Sequence, residues 1–244
     1  MSGLDATPQA ELLCESHSCQ IAGMNGAIIQ KETSLSDGIY AELKNRLILG
    51  YYRPGDRLSM RKLAVEFGTS PMPVREALKR LASEHAIESA AAKAFNVPRL
   101  SDKRAADLFD LRALLESAAV EAAHRAMTPD MLDELSALCE RMDAHLKLRD
   151  FRAYMADNYR FHFLLYRKAD NPDMVAMIEQ LWMKSGPSLY QGFEKSDVAN
   201  LDWNLGHKQL LDAIRHGHVS DFGAIMRKDI GWGAEFYRSE AGDV

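Results

Sequence analysis

Residues 51–80 read YYRPGDRLSMRKLAVEFGTSPMPVREALKR and predict two short helices joined by a tight turn. In the first half, apolar residues recur at helical spacing until Gly68 interrupts the pattern. Ser70 is a favourable N-cap, and Pro71 and Pro73 fall in the first turn of the next helix, where a missing N–H removes no hydrogen bond. We therefore expect one helix to end near Gly68 and another to begin at Ser70 or Pro71.

The second predicted helix has an apolar stripe on one side and cations such as Arg75 on the other. Two such helices form a helix-turn-helix when the second presents its N-terminal end to base edges in the major groove of DNA. The N–H groups at that end also favour phosphate. On spacing alone, an ordinary helical hairpin with solvated arginines fits the segment equally well.

The flanking sequence favours the DNA-binding alternative. A helix is predicted over residues 36–49, closed by Gly50, and residues 85–101 are short enough to form a two-stranded wing. With these flanks, the region from about 34 to 100 resembles the winged helix-turn-helix of the GntR family of bacterial transcription regulators. The resemblance rests on the loop PGDRLS and the segment PVREAL, and it implies binding to double-stranded operator DNA.

The resemblance also implies particular DNA contacts. Arginines that contact DNA in the family match Arg61 and Arg75 of this chain. Two positions depart from the family pattern, because Pro71 stands where many members have arginine and Ala94 stands where the wing often has glycine. A solvated surface position is the alternative role for the wing lysine. The turn, the start of the second helix and the wing contribute the other implied contacts: Ser70, Met72, Pro73 and Lys93.

Charge is distributed unevenly along the chain. Residues 34–100 contain eleven Lys and Arg against seven Asp and Glu, a net charge of +4, whereas the whole chain carries −5. Because neutralising phosphates supplies much of the affinity for DNA, a cationic segment is compatible with DNA binding even in an acidic chain.

The length of 244 residues, of which 47% are hydrophobic, accommodates one small and one medium domain. We predict a flexible N-terminal extension over residues 1–33, a DNA-binding domain over 34–100 and an all-helical effector-binding and dimerisation domain over 101–240. Two cysteines and a histidine in the extension could be metal ligands, but an unstructured tail is the favoured alternative.

The sequence contains no run of about 18 apolar residues, and its start lacks the basic and apolar regions of a signal peptide. Three cysteines leave one unpaired in any disulfide scheme, which fits a reducing compartment. These features predict a cytoplasmic protein that does not bind membranes.

From Ser101 onward the pattern is helical and lacks alternating strand-like runs, so the expected fold class is mostly α. Ser101 is an N-cap for a long, alanine-rich helix. Three helices and a wing are expected before it, and an all-α bundle of about six helices after it. The later helices of the bundle are predicted over residues 129–147, 151–168, 172–190, 199–216 and 219–237.

Four polar residues of the predicted bundle could converge on one metal ion. Asn158 and His162 lie four residues apart on one helical face, and His207 and Asp229 lie on later helices. Imidazole and oxygen ligands from separate helices suit Zn, Ni, Mn or Fe. Taken singly, a histidine in such a place is more often part of the core, and an aspartate is more often a surface residue.

The segments that contain these residues resemble the FCD effector domain of the FadR-like GntR subfamily. They are DNYRFHFLLYRKADNPDM, LGHKQLLDAIRHGH and IMRKDI. Metal-binding members use an Asp and a His from the first segment and one His from each later segment, so Asn158 and Asp229 are substitutions. Two nitrogen and two oxygen ligands favour Mn, Fe or Ni relative to Zn. A metal-free polar pocket is the alternative to a divalent metal ion held by Asn158, His162, His207 and Asp229.

The same resemblance implies a small carboxylate effector, such as a sugar acid, paired with an arginine of the first bundle helix. Arg112 fits that position, and a guanidinium pairs well with a carboxylate. Pairing of Arg112 with Glu116 on the helix surface is the alternative.

The predicted function is a homodimeric, ligand-responsive transcription regulator that acts as a repressor. Each of its two DNA-binding domains contacts half of a pseudo-palindromic operator. A helical metal-dependent hydrolase is the alternative from another class. The sequence contains no H-E-x-x-H motif and no Gly-rich phosphate loop to support that alternative.

Overall fold

The computed structural model describes residues 34–90, 94–195 and 203–240. It is mostly α-helical and has a small antiparallel sheet in its N-terminal part, which confirms the predicted fold class. Residues 1–33, predicted as an extension, lie outside the described residues. The N-terminal elements are α1 (Leu35–Ile48), β1 (Arg57–Leu58), α2 (Met60–Glu66), α3 (Pro71–Ser83), β2 (Glu88–Ala90) and β3 (Ala94–Asn96).

The helix-turn-helix forms where the sequence predicts it. The side chain of Ser59 caps α2 by accepting a hydrogen bond from the Lys62 backbone N–H at 3.4 Å. α2 ends at Glu66, and Gly68 takes a φ of +61° in the turn, a conformation that glycine adopts without strain. Ser70 occupies the N-cap position of α3 with an extended backbone, although its side chain makes no capping hydrogen bond. Local backbone chemistry therefore sets the turn between the two helices.

The wing has three strands rather than the predicted two. β3 pairs antiparallel with both neighbours, so that Phe95 lies opposite Leu58 of β1 and opposite Ser89 of β2. β1 contains only two residues, which is too short to show the alternation by which strands are recognised. Leu58 and Phe95 are both buried, so the sheet contributes to the core of the DNA-binding part.

Six α-helices form the described part of the C-terminal region. Its first helix, α4, packs against α6, α7 and α9. This helix starts where the sequence predicts, because the Ser101 hydroxyl accepts a hydrogen bond from the Arg104 backbone N–H at 3.4 Å. Among the described helices, none has the length and hydrophobicity needed to cross a membrane. The six helices are α4 (Asp102–Ala123), α5 (Pro129–Leu148), α6 (Phe151–Tyr166), α7 (Pro172–Lys195), α8 (Leu205–Arg215) and α9 (Val219–Glu240).

Helix α7 is longer than predicted. It continues through Gly186 and Pro187 and ends at Lys195. Residues 185–190 are all buried, so packing outweighs the hydrogen bond that a proline cannot donate. Helix α8 begins at Leu205 after the N-cap Asn204, so the described residues 203 and 204 are not helical as predicted, and residues 199–202 lie outside the described part of the chain.

The DNA-binding part and the bundle meet where α1 packs against α7. A Cβ built on Gly186 would lie 2.3 Å from the carbonyl oxygen of Leu47, so no side chain fits at this crossing. Gly50, with a φ of +68°, fits equally tightly against α7. Lys44 of α1 also forms an ion pair with Glu179 of α7. These contacts make the junction close-packed.

Candidate functional sites

Most of the residues predicted to contact DNA lie at the start of α3. Met72 among them is 57% exposed. Arg61 lies in the first turn of α2 and is also exposed, whereas Lys93 lies outside the described residues. The helix end that major-groove readout uses thus carries one polar group, Ser70, and one cation, Arg75. The residues at the start of α3 are Ser70, Met72, Pro73 and Arg75.

Arg75 is held only loosely by its neighbours. Its Nη2 donates to the sulfur of Met72 at 3.4 Å, and its Nε lies 3.9 Å from the Glu76 carboxylate, beyond hydrogen-bond distance. By contrast, the guanidinium of Arg80 lies 3.7 Å from the centroid of the Tyr40 ring and joins α3 to α1. Arg75 is therefore available to a ligand, whereas Arg80 has a structural role.

A groove between α3 and the wing contains a second cation, which the sequence prediction missed. Lys79 lines this groove together with Arg75 and lies one helical turn later. Its ammonium pairs with Glu76 at 3.1 Å on the exposed surface, where such pairs are weak. The four-residue spacing from Arg75 is the sequence signal that could have indicated Lys79.

Three helices bring the four predicted metal ligands together. Asn158 and His162 belong to α6, His207 to α8 and Asp229 to α9. The Nε2 atoms of the two histidines are 3.0 Å apart. His207 Nε2 lies 2.8 Å from Asn158 Oδ1, and His162 Nε2 lies 3.4 Å from Asp229 Oδ2. Ligand atoms of the two histidines and Asp229 all lie within 4.8 Å of one another.

Burial and neighbouring groups determine the protonation of this cluster. Burial lowers the pKa of His207 to about 4, so its imidazole is neutral at pH 7. Burial alone would raise the pKa of Asp229, but His207 and His162 lower that pKa below its ordinary value. The cluster therefore combines an ionised carboxylate with a neutral imidazole, and both forms ligate metals.

The donor set fits a divalent cation. Two unprotonated Nε2 atoms 3.0 Å apart would repel each other, so either a proton or a cation has to lie between them. Two imidazoles, an amide oxygen and a carboxylate form a mixed set that Mn, Fe, Ni and Zn accept. The residues able to hold such an ion are His162, His207 and Asp229, with Asn158 as the fourth.

Arg112 lies in the middle of α4 and is buried. Its Nε donates to Glu116 Oε1 at 2.7 Å, and its Nη1 donates to Ser185 Oγ at 3.2 Å. The guanidinium carbon lies 4.5 Å from the centroid of the Trp182 ring. Arg112 does pair with Glu116, but the pair is inside the bundle and not on the helix surface, as 4% and 0% exposure show. Spacing could not reveal this, because α4 is packed on several sides.

A single cavity is lined by Arg112 and by all four predicted metal ligands. It has a volume of about 60 Å³ and opens to solvent, and apolar side chains such as Phe109 and Leu189 form its other walls. Polar groups that converge within apolar walls suit a small organic anion. Residues that the sequence predicts on separate helices thus line the same cavity.

Tyr166, which the sequence prediction missed, lies behind the cluster. Its hydroxyl donates to Glu116 Oε2 at 2.5 Å and lies 3.0 Å from His162 Nδ1. Burial and the Glu116 carboxylate raise the pKa of Tyr166 well above its ordinary value, so the hydroxyl keeps its proton. Tyr166 follows His162 by four residues, as His162 follows Asn158, and this spacing was the available signal.

A winged helix-turn-helix followed by a helical domain with a polar cavity is the architecture of a DNA-binding transcription regulator. Residues 35–97 match the family described as bacterial regulatory proteins, gntR family, and residues 107–231 match the FCD domain. The chain belongs to the GntR family of transcription regulators, in the FadR-like subfamily that carries an FCD domain.

The chain is similar to known transcription regulators over much of its length. The HTH-type transcriptional regulator McbR of Escherichia coli is 35% identical over 188 residues, which are 77% of this chain and 85% of McbR. A solved structure of E. coli McbR/YncC has a TM-score of 0.80 at 31% identity and covers 85% of this chain and 99% of its own. The gluconate operon transcriptional repressor of Bacillus subtilis is 32% identical over 60% of this chain and 58% of its own. These relatives are transcription regulators and not enzymes, so the metal-dependent hydrolase alternative has no support.

Proposed function

We propose that this regulator represses genes by binding operator DNA as a homodimer and responds to a small carboxylate bound beside a divalent metal ion. The observation that carries the proposal is the cavity lined by both Arg112 and four potential metal ligands. A guanidinium and a metal ion are both good partners for a carboxylate.

DNA binding is assigned to α2, the N-terminal end of α3 and the wing. Arg61 and Arg75 supply the main cationic contacts, since Arg75 lacks a carboxylate partner at hydrogen-bond distance among the described residues. Repression is supported by the relative that is named a repressor, the gluconate operon transcriptional repressor of B. subtilis. A cytoplasmic location is part of this proposal. The other proposed DNA contacts are Ser70, Met72, Pro73 and Lys93.

Arg112 is the proposed partner of the effector carboxylate. Hydrogen bonds to Glu116 and Ser185 occupy three of the five N–H donors of its guanidinium, which leaves two for a ligand. Because Glu116 already balances the charge of Arg112, the metal ion supplies the additional positive charge that an anion needs. The effector class proposed is therefore a small organic acid, such as a sugar acid.

The proposed metal ion is held by Asn158, His162, His207 and Asp229. The carboxylate and amide oxygens make this a harder donor set than three imidazoles, which favours Mn, Fe or Ni relative to Zn. A divalent ion held there would supply Lewis acidity toward an effector carboxylate in the same cavity. The protein residues fix where that carboxylate lies, with Arg112 at the second contact.

A homodimer is proposed because α4 has an exposed apolar stripe. Leu111 is 50% exposed and Leu114 is 66% exposed, and Ala118 continues the same face at helical spacing. Two leucines in one exposed stripe favour burial against a second copy of the chain. A two-fold dimer also matches the pseudo-palindromic operators that helix-turn-helix regulators recognise.

Helix α7 is the proposed link between the cavity and DNA binding. It contributes Leu189 and Phe193 to the cavity wall, and it packs against α1 at Gly186. An effector that favours one placement of α7 over another changes the position of α1 and hence operator affinity. Such a coupling free energy is typically about 1–3 kcal/mol and acts reciprocally on effector affinity.

The test begins with selection of bound sequences from a random double-stranded DNA library. We expect a motif with two related half-sites to be enriched. Fluorescence anisotropy on that motif then measures affinity with and without gluconate, in the presence of Mn²⁺ or of a chelator. Weaker operator binding with gluconate and Mn²⁺ together is expected. Failure to enrich any motif would contradict operator binding, and equal affinity with a panel of sugar acids would contradict the effector class.

A further inference from the structure

The hydroxyl of Tyr166 lies between a carboxylate and a histidine deep inside the bundle. It is 2.5 Å from Glu116 Oε2 and 3.0 Å from His162 Nδ1. The ring of Tyr166 is fully buried and stacks on that of His162 with centroids 5.8 Å apart. The contact with His162 Nδ1 is thus built into the core.

The direction of each hydrogen bond follows from the number of protons available. A carboxylate that pairs with Arg112 has only acceptor oxygens, so the single hydroxyl proton of Tyr166 is donated to Glu116. The hydroxyl oxygen then accepts, and the proton shared with His162 has to come from Nδ1 of the imidazole. A neutral imidazole with its proton on Nδ1 has a lone pair on Nε2.

We infer that Tyr166, oriented by Glu116, is a positioning residue that holds His162 as the Nδ1–H tautomer. The Nε2 lone pair of His162 then faces His207 Nε2 and the cation position before any metal binds. This inference deepens the proposed function and rests on the proposed metal site. Histidine ligands of metals commonly donate their second N–H to such a partner, which fixes both tautomer and ring orientation.

His207 has the opposite arrangement. Its Nδ1 is buried and has no hydrogen-bond partner among the described residues, whereas its Nε2 lies 2.8 Å from Asn158 Oδ1. In the metal-free protein the proton therefore belongs on Nε2, where Asn158 Oδ1 at 2.8 Å and the bare His162 Nε2 at 3.0 Å are both within hydrogen-bond distance. A metal held through His207 Nε2 would require the imidazole proton to be on Nδ1 instead, where no acceptor lies among the described residues. His162 is prepared for the metal, and His207 has to change tautomer.

The first test is nitrogen NMR of the metal-free protein labelled with ¹⁵N-histidine, with the His162 signals assigned by their loss in His162→Gln. We expect the His162 Nδ1 to be protonated and Nε2 to be bare. Protonation at Nε2 of His162 would overturn the inference. Because this measurement needs no metal, it decides the tautomer even if calorimetry finds that the wild-type protein binds no metal, a result that would refute only the proposed metal site.

The second test removes the hydroxyl with Tyr166→Phe, which keeps the buried ring. We expect a shift of His162 toward the Nε2–H tautomer and about 10–100-fold weaker binding of Mn²⁺ or Ni²⁺ in calorimetric titrations. Tyr159→Phe is the matched control, since that hydroxyl donates to the Glu179 carboxylate at 2.8 Å from the same helix. It should leave both the tautomer and the metal affinity unchanged.

A second variant guards against a packing defect in Tyr166→Phe. Glu116→Gln keeps the size of the side chain but removes the carboxylate that fixes the hydroxyl proton. The amide can donate to the Tyr166 oxygen, so the hydroxyl turns toward His162 Nδ1 and favours the Nε2–H tautomer. Wild-type tautomer and wild-type metal affinity in both variants would overturn the role assigned to Tyr166.

Discussion

Gly186 of α7 and Leu47 of α1 touch through their backbones, since a Cβ on Gly186 would lie 2.3 Å from the Leu47 carbonyl oxygen. The same helix lines the cavity through Leu189 and Phe193. A change at residue 186 therefore tests whether α7 transmits a signal from the cavity to the DNA-binding part.

Gly186→Ala is expected to push α1 away from α7, because the obstructing atoms belong to the backbone and cannot rotate aside. We expect the free energy of unfolding to fall by about 1–3 kcal/mol, as for overpacking in a core. Urea unfolding measures this change. We also expect the effector to lose its influence on operator affinity, which fluorescence anisotropy measures. Gly38→Ala is the control in α1, since its Cβ would meet nothing within 4 Å, and it should be neutral or stabilising. Equal effects of the two substitutions would contradict transmission through this crossing.

Arg75→Ala is expected to weaken operator binding by about 1–3 kcal/mol, which is about 5–150-fold, while the bundle stays folded. The reason is that Arg75 lies at the DNA-facing end of α3 and is only loosely held by its neighbours. Anisotropy at several salt concentrations distinguishes a contact to a base from a contact to a phosphate. Loss of a phosphate contact also makes operator affinity less dependent on salt concentration. Lys103→Ala, on the exposed surface of α4, is the control for loss of one charge. Unchanged affinity would remove Arg75 from the DNA contacts.

His162→Ala combined with His207→Ala is expected to abolish metal binding, which should be about one ion per chain in the wild type. Plasma mass spectrometry on protein purified without a metal column measures the content. Asn158→Asp adds a second carboxylate beside His207 and should tighten binding. His216→Ala removes an exposed histidine outside the cluster and should change nothing. Equal metal content in the double variant and the wild type would exclude this site.

Acid is expected to destabilise the metal-free protein through His207. The unfolded chain takes up a proton near the ordinary pKa of 6.5, whereas the folded protein does so only near about 4. The stability linked to this group is therefore complete above pH 6.5 and is lost as the pH falls toward 4, by about 3 kcal/mol. The folded-state pKa of Asp229 is lowered, so its contribution is lost in the same direction as the pH falls through that pKa.

Urea unfolding at several pH values, with a chelator present, measures this acid dependence. His207→Gln removes the titrating imidazole and should flatten the change between pH 6.5 and 4. If the variant loses as much stability as the wild type over that range, the buried neutral imidazole is not the source of the effect.

Leu111→Glu combined with Leu114→Glu is expected to convert the proposed dimer to a monomer, because charges cannot be buried against the same face of a second copy. Light scattering after size exclusion gives the mass of the particle in solution. Operator affinity should fall when the dimer is lost. Leu148→Glu is the control, since Leu148 is 77% exposed at the end of another helix. A dimer that persists in the double variant would place the interface elsewhere.

Local signals in the sequence were sufficient for most of the fold. Gly68 and the prolines after Ser70 marked the turn, and helical spacing placed Asn158 and His162 on one face. β1 was not predictable, because two residues that pair with a distant strand have no periodicity of their own. The predicted range 172–190 already carried α7 through Gly186 and Pro187, but the extension to Lys195 was not predicted.

The cavity was predictable only in part. Residue types indicated a set of ligands, but the sequence could not show that Arg112 and Glu116 face inward, since α4 has similar small residues around its circumference. Tyr166 was overlooked because an aromatic residue at helical spacing is usually a core residue. Only the geometry shows that its hydroxyl joins Glu116 to His162.

Glu116 serves two partners at once: Arg112 donates to both of its carboxylate oxygens, and Tyr166 donates to Oε2. A substitution at this position therefore alters the arginine that faces the organic acid and the histidine that faces the metal in a single mutational step. In relatives where a substitution at position 116 changes which effector acid is bound, the metal preference is expected to change as well. The specificity for the acid and the specificity for the metal therefore evolve together.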